Sequence, residues 1–95
     1  MSKLTELVSR TCTAAHAWVD ASMTIERTDY RTTYSDVFLL LQEGHGYLAL
    51  VDNSIGLVKS EMEFCLGLEF ELTSLLLCRD HVRYEIERLE EIWNS

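Results

Sequence analysis

The sequence predicts a mainly α-helical single domain, a small bundle of three or four helices. Three observations carry that expectation. The chain has no proline and only four glycines, so nothing local forbids long helices. Apolar residues recur at spacings of three and four over most of its length, as they do along one face of an amphipathic helix. Of its 95 residues, 47% are hydrophobic. That is enough for a core, but at this length for one core only, so residues 1–95 form one domain.

Residues 2–22 read as the first helix. Leu4, Val8, Cys12, Ala15 and Val19 keep the helical spacing, Leu7, Ala14 and Trp18 widen the stripe, and Ser2 offers an N-cap. Residues 24–33 are polar and lack a helical period, and they read as a connector with a short extended piece around Tyr30 to Tyr34. Ser35 can cap a short apolar helix over residues 36–42, which Gly44 and Gly46 would close. The same stretch also suits a β-hairpin: two apolar runs flank Glu43-Gly44-His45-Gly46, so residues 36–52 leave an α+β alternative open. Helical neighbours and the lack of proline favour helix.

From residue 53 to 93 the helical signal is strong. Leu48, Val51, Ile55, Val58, Met62 and Cys65 share one stripe. Leu68, Leu72, Leu75, Val82, Ile86, Leu89 and Trp93 share another, out of phase with the first. Unbroken, this segment would be about 60 Å long, more than a domain this size spans. A break near Gly67 is expected, with a coiled coil between two copies as the other way out. Ser60-Glu61-Met62-Glu63 fits a capping box and marks a second place where a helix could start or kink.

Sixteen acidic residues against eight basic ones give a net charge of −8. Such a surface repels phosphate backbones and anionic lipid, which argues against direct binding to nucleic acid or membrane, and it favours a protein partner with a basic surface. Residues 1–33 are balanced; residues 34–95 hold twelve carboxylates against four bases and carry all of the excess. No basic start with an apolar run behind it suggests a secretory signal, and no apolar run could span a bilayer. Three cysteines make an odd set, with no disulfide framework, as expected of a chain in a reducing cytoplasm.

No catalytic motif is present: there is no Gly-x-Ser-x-Gly, no phosphate-binding glycine loop and no His-Glu-x-x-His. His45, between two glycines, reads as a turn residue rather than a catalytic one. Cys65 falls on an apolar stripe, where a thiol is inert. Cys12 with His16 and Cys78 with His81 each share one helix face, and two such pairs could form a Cys₂His₂ metal site, although no sequence argument brings the two helices together. No cofactor is implied, and small core cysteines remain the simpler reading of these residues.

The carboxylates are the stronger signal. Nine lie between Glu61 and Glu91, with only Arg79, Arg83 and Arg88 among them. A surface built for solubility alone would mix signs more evenly. Phe64, Leu66 and Phe70 fall off the main apolar stripe and would be exposed unless a partner or a second copy covers them. The expected partner-binding residues are therefore Glu61, Glu63, Glu69, Glu71, Glu87, Glu90 and Glu91 with Phe64 and Phe70. The sequence thus predicts a non-enzymatic, self-associating protein, such as a homodimer, that occludes or holds a basic protein. A phage or mobile-element inhibitor of host machinery, of the anti-defence or anti-CRISPR type, has this profile. A toxin-neutralising immunity protein or a secretion chaperone shares it. A metal- or redox-responsive regulator using Cys12, His16, Cys78 and His81 is the competing class.

Overall fold

A computed structural model describes residues 3–24 and 34–94. The described residues form three helices and no strand: α1 (Lys3–Met23), α2 (Tyr34–Met62) and α3 (Glu69–Trp93). Ser2 and residues 25–33 of the expected connector lie outside the described residues. Contacts fix the directions of the helices. Arg79 reaches Asp52 at 3.9 Å and His45 lies 3.8 Å from Glu90, so α2 and α3 run antiparallel. Thr5 meets Glu71 near the start of α3 and Ser22 meets Glu85 near its end, so α1 runs parallel to α3. The bundle measures 51 × 20 × 16 Å.

Helix α1 follows the predicted stripe, but its buried line runs through Val8, Thr11, Ala15, Trp18, Val19 and Ser22. Leu7 is left on the surface. Two small polar residues therefore sit where the helix approaches its neighbours, and the Ser22 hydroxyl donates to Glu85 Oε2 at 2.8 Å. Val37, Val51, Ile55 and Val58 from α2 close on Leu75, Cys78, Val82, Ile86 and Leu89 from α3. Every one of these is within the buried core. Burying a residue of this kind stabilises a fold by about 1.5–3 kcal/mol, which outweighs the modest helix propensity of valine.

The largest departure from the sequence reading is α2. Residues 36–52 are neither a hairpin nor a short helix closed by Gly44 and Gly46; they lie inside one continuous helix of 29 residues. Three glycines in that helix each cost about 1 kcal/mol relative to alanine. Packing overrides the cost. Gly44 is buried against the ring of Trp18, and the Trp18 indole N–H donates to the Leu40 carbonyl at 3.0 Å. Tyr34 begins α2 rather than ending an extended piece, and Ser35 lies within the helix.

The expected break near Gly67 is present. Helix α2 ends at Met62, so Ser60–Glu63 marks a helix end and not a start. The Phe64 and Cys65 amides both donate to the Glu61 carbonyl, at 3.0 and 2.8 Å, which winds the last turn tightly. Gly67 then takes φ +92°, a left-handed conformation that glycine reaches without a Cβ clash. Leu68 precedes α3, and Glu69 and Glu71 in its first turn place negative charge at the positive end of the helix dipole.

Candidate functional site

The α2–α3 turn is the most exposed apolar feature of the described residues. Phe64 is 84% exposed, Leu66 96% and Phe70 79%. Each follows from backbone placement. Phe64 and Leu66 sit in the turn, after α2 has ended and before α3 can cover them, and Phe70 stands on the outward side of the first turn of α3. Phe64 and Phe70 contribute roughly 150–250 Å² each, and with Leu66 between them they present on the order of 500 Å² of apolar surface, the size range of patches that mark interaction sites. Glu61, Glu63 and Glu69 lie exposed around them. The result is an apolar tip with a carboxylate rim.

Cys65 belongs to this tip. It is exposed in the turn, not mid-helix on a buried stripe, because the helix that would have carried it stops three residues earlier.

The nine expected partner-binding residues do not form one face. Glu61, Glu63, Phe64, Glu69 and Phe70 gather at the tip. Glu71 turns towards α1, where the Thr5 hydroxyl donates to its Oε1 at 3.4 Å; its Oε2 is buried and has no hydrogen-bond partner among the described residues. Glu87, Glu90 and Glu91 lie exposed near the far end of α3, about 30 Å from Phe70 at 1.5 Å per residue. There Glu90 faces His45 at 3.8 Å. No basic residue occupies the last turn of α3, so its carboxylates sit unfavourably at the negative end of the dipole. The acidic excess thus divides between the two ends of the bundle.

Glu85 does not belong to the acidic surface at all. It is buried, 4% exposed, and accepts from the Ser22 hydroxyl at 2.8 Å and from Arg88 Nε and Nη2 at 3.0 and 2.9 Å. Arg88 also donates to the Ser22 carbonyl. This network ties α1 to α3 and satisfies a buried charge, as burial requires.

The two cysteine–histidine pairs do come together. Cys12 packs against the core that contains Cys78, close enough for each thiol to affect the other's ionisation, and the ring centroids of His16 and His81 lie 5.6 Å apart with a 49° tilt. Burial raises the Cys12 thiol above its ordinary value, partly offset by the hydrogen bond from Cys78. Burial also pushes the Cys78 thiol up to about 12, and the Cys12 sulfur beside it adds to the shift. The four side chains therefore pair by type, thiol beside thiol and ring beside ring. Among the described residues, no three or more histidine, cysteine or acidic side chains converge where a metal ion could be held.

Two open cavities run along the α1–α3 seam on either side of His16. One, about 350 Å³, is lined by Cys12, Thr5, Val8, Phe70 and Glu71 among others. The other, about 530 Å³, lies between Met23, His81 and Tyr84. Phe70 therefore borders both the tip and the first cavity.

A third surface went unread in the sequence: Leu39, Leu50 and Leu57 stand half-exposed along the solvent side of α2, beside Gly46 and Gly56, around which there is open space. The helix is apolar on two sides, which blurs the periodicity that would have revealed either. No helix among the described residues is long and apolar enough to cross a membrane. No family model, curated protein or solved structure matches the chain.

Proposed function

We propose that the chain is a non-enzymatic binding protein that docks the α2–α3 tip into an apolar pocket with a basic rim on another protein. Phe64, Leu66 and Phe70 are the anchors; Glu61, Glu63 and Glu69 steer and orient. The observation that carries this reading is the near-complete exposure of three large apolar side chains, with the exposed carboxylates of Glu61, Glu63 and Glu69 beside them in the chain. A small domain keeps such a patch in water only at a cost in solubility, and buried aromatic anchors with a charged rim are what strong interfaces use. Within that class, size and acidity fit an inhibitor of host machinery carried by a phage or mobile element, occluding a basic site on its target. An immunity protein or a secretion chaperone would use the same tip.

The test compares three forms of the chain for capture of a partner from the native host. The tip variant Phe64→Ser/Leu66→Ser/Phe70→Ser should lose the partner. Reversal at Glu61, Glu63 and Glu69 to lysine should weaken capture. Reversal at Glu87, Glu90 and Glu91 should leave it intact. Retention of the same partner by the tip variant would overturn the proposal.

We infer that the chain self-associates through the leucine side of α2, where Leu39, Leu50 and Leu57 are half-exposed, and not through the tip. Sedimentation of wild type against Leu50→Glu/Leu57→Glu separates the two surfaces: a dimer dissociated by these changes supports the assignment, and a dimer unaffected by them refutes it.

A further inference from the structure

We propose that Cys12 and Cys78 form a dithiol site that reacts with a low-molecular-weight disulfide, such as oxidised glutathione, and closes into a disulfide linking α1 to α3. The cavity that leads to it shares Phe70 with the docking tip, but the thiol chemistry does not depend on the partner-binding reading.

Register is the first support. Cys12 and His16 lie one turn apart on α1; Cys78 and His81 lie one turn apart on α3. Imidazole meets imidazole with ring centroids 5.6 Å apart, and one turn back Cys12 packs against the core that contains Cys78, close enough for each thiol to affect the other's ionisation. This register sets the cysteines of the two parallel helices face to face. A disulfide needs its two Cα atoms within about 7 Å and its Cβ vectors converging. Cysteines that face each other across the seam of two parallel helices, with Cys12 packed against the core that holds Cys78, are placed for that convergence.

Access is the second support, and it is one-sided. Cys78 is fully buried in the core, whereas Cys12 is partly exposed and lines the open cavity of about 350 Å³ beside Thr5, Ser9, Thr13, His16 and Ser74. A small disulfide with polar arms can enter among these hydroxyls and reach Cys12 alone. Cys12 is therefore the attacking thiol and Cys78 the resolving one. Cys65, on the tip, has no second thiol at hand and can form only adducts or cross-links between chains.

The reaction balances in two exchanges. Cys12 loses its proton to solvent; its sulfur attacks one sulfur of the small disulfide, and the other half leaves as a thiolate that takes up a proton. Cys78 then loses its proton, its sulfur attacks the Cys12 sulfur, and the second small thiol leaves protonated. Two protein thiols are oxidised to one disulfide while one small disulfide is reduced to two thiols. The second exchange is the slow one, because Cys78 is buried and its thiol holds its proton tightly.

The experiment uses the full chain carrying Cys65→Ser, treated with excess oxidised glutathione at mildly alkaline pH. Expected are a mass lower by two hydrogens, a linked Cys12–Cys78 peptide in a non-reducing digest, a higher melting temperature, and reversal by dithiothreitol. Adding Cys78→Ala should trap a glutathione adduct on Cys12; adding Cys12→Ala should leave Cys78 unmodified while the fold persists. A stable adduct on Cys12 in the chain that retains Cys78, or both thiols unreacted, would overturn the proposal. Modification of Cys78 in the Cys12→Ala chain at the rate seen for Cys12 would overturn the assigned order of attack.

Discussion

Gly44 packs its bare α-carbon against the six-membered ring of Trp18. A Cβ built there would lie against Trp18 Cζ2, 2.7 Å from Cη2 and 3.1 Å from Ile86 Cγ1. The same helix holds Gly46 and Gly56, around which a Cβ meets nothing within 4 Å. Alanine at these three positions should therefore act in opposite directions. Gly46→Ala and Gly56→Ala should each stabilise the chain by about 0.5–1 kcal/mol through helix propensity. Gly44→Ala gains the same propensity but must displace a buried indole, and overpacking of this kind costs about 1–3 kcal/mol, so it should destabilise. Urea unfolding followed by circular dichroism reads all three, and a stabilised Gly44→Ala would show that Trp18 yields easily.

The buried Glu85 carboxylate predicts a second asymmetry. Arg88→Ala removes two donors and leaves a charge inside the bundle, with only the Ser22 hydroxyl to satisfy it. Breaking a buried pair by deleting one member costs about 3–5 kcal/mol, and the partial exposure of the Arg88 side chain, 27%, puts the effect near the lower end. Glu85→Gln/Arg88→Met, which takes both charges away, should be less destabilising than Arg88→Ala alone. If the double variant falls further than the single one, the ion pair is a net stabiliser of the fold and not merely satisfied.

These two contacts also show where the sequence was legible and where it was not. Helices α1 and α3 and the break at Gly67 could be read because local spacing and one glycine determine them. The first half of α2 could not, because Gly44 and Gly46 carry the local signature of a turn and the packing partner of Gly44 lies 26 positions earlier in the chain. Glu85 was grouped with its exposed neighbours because residue type says nothing of which side of α3 faces Ser22. The exposure of Phe64 and Phe70 was legible from their position off the stripe. The approach of Cys12 to Cys78 was not, since the register between two helices is absent from the period of either.

Gly67 should tolerate no side chain without cost. Its φ of +92° lies where an L-residue clashes with its own backbone, so Gly67→Ala should lower stability by about 1–2 kcal/mol although open space surrounds the site. Gly67→Asn should lose less, since asparagine tolerates left-handed geometry better. Equal losses would point to a turn that rearranges rather than strains.

At the tip, folding and binding should separate. Phe64, Leu66 and Phe70 are so exposed that their replacement by serine should change stability by no more than about 0.5 kcal/mol. If Glu61, Glu63 and Glu69 steer the partner, the association rate should fall several-fold between about 0.05 and 0.5 M salt while the dissociation rate changes little. Stopped-flow mixing with the captured partner measures both, and an association rate indifferent to salt would remove the carboxylates from the account.

The Cys78 thiol sets an alkaline limit. Its ordinary value is 9.0 and burial holds it near 12 in the folded chain, so between those two values the unfolded chain has released a proton that the folded chain still binds. Stability rises with pH only where the unfolded state holds more protons; here it holds fewer, so stability must fall. The contribution is fully present below pH 9.0 and is lost as pH climbs towards 12, with a limiting slope of about 1.4 kcal/mol per pH unit. Replacing Cys78 by valine removes the titrating group while keeping an apolar core side chain. The wild type should therefore lose stability more steeply than Cys78→Val over this range when both are unfolded in urea under a reductant. Parallel curves for the two chains would mean that the folded structure opens at alkaline pH and lets the thiol ionise as freely as in the unfolded chain.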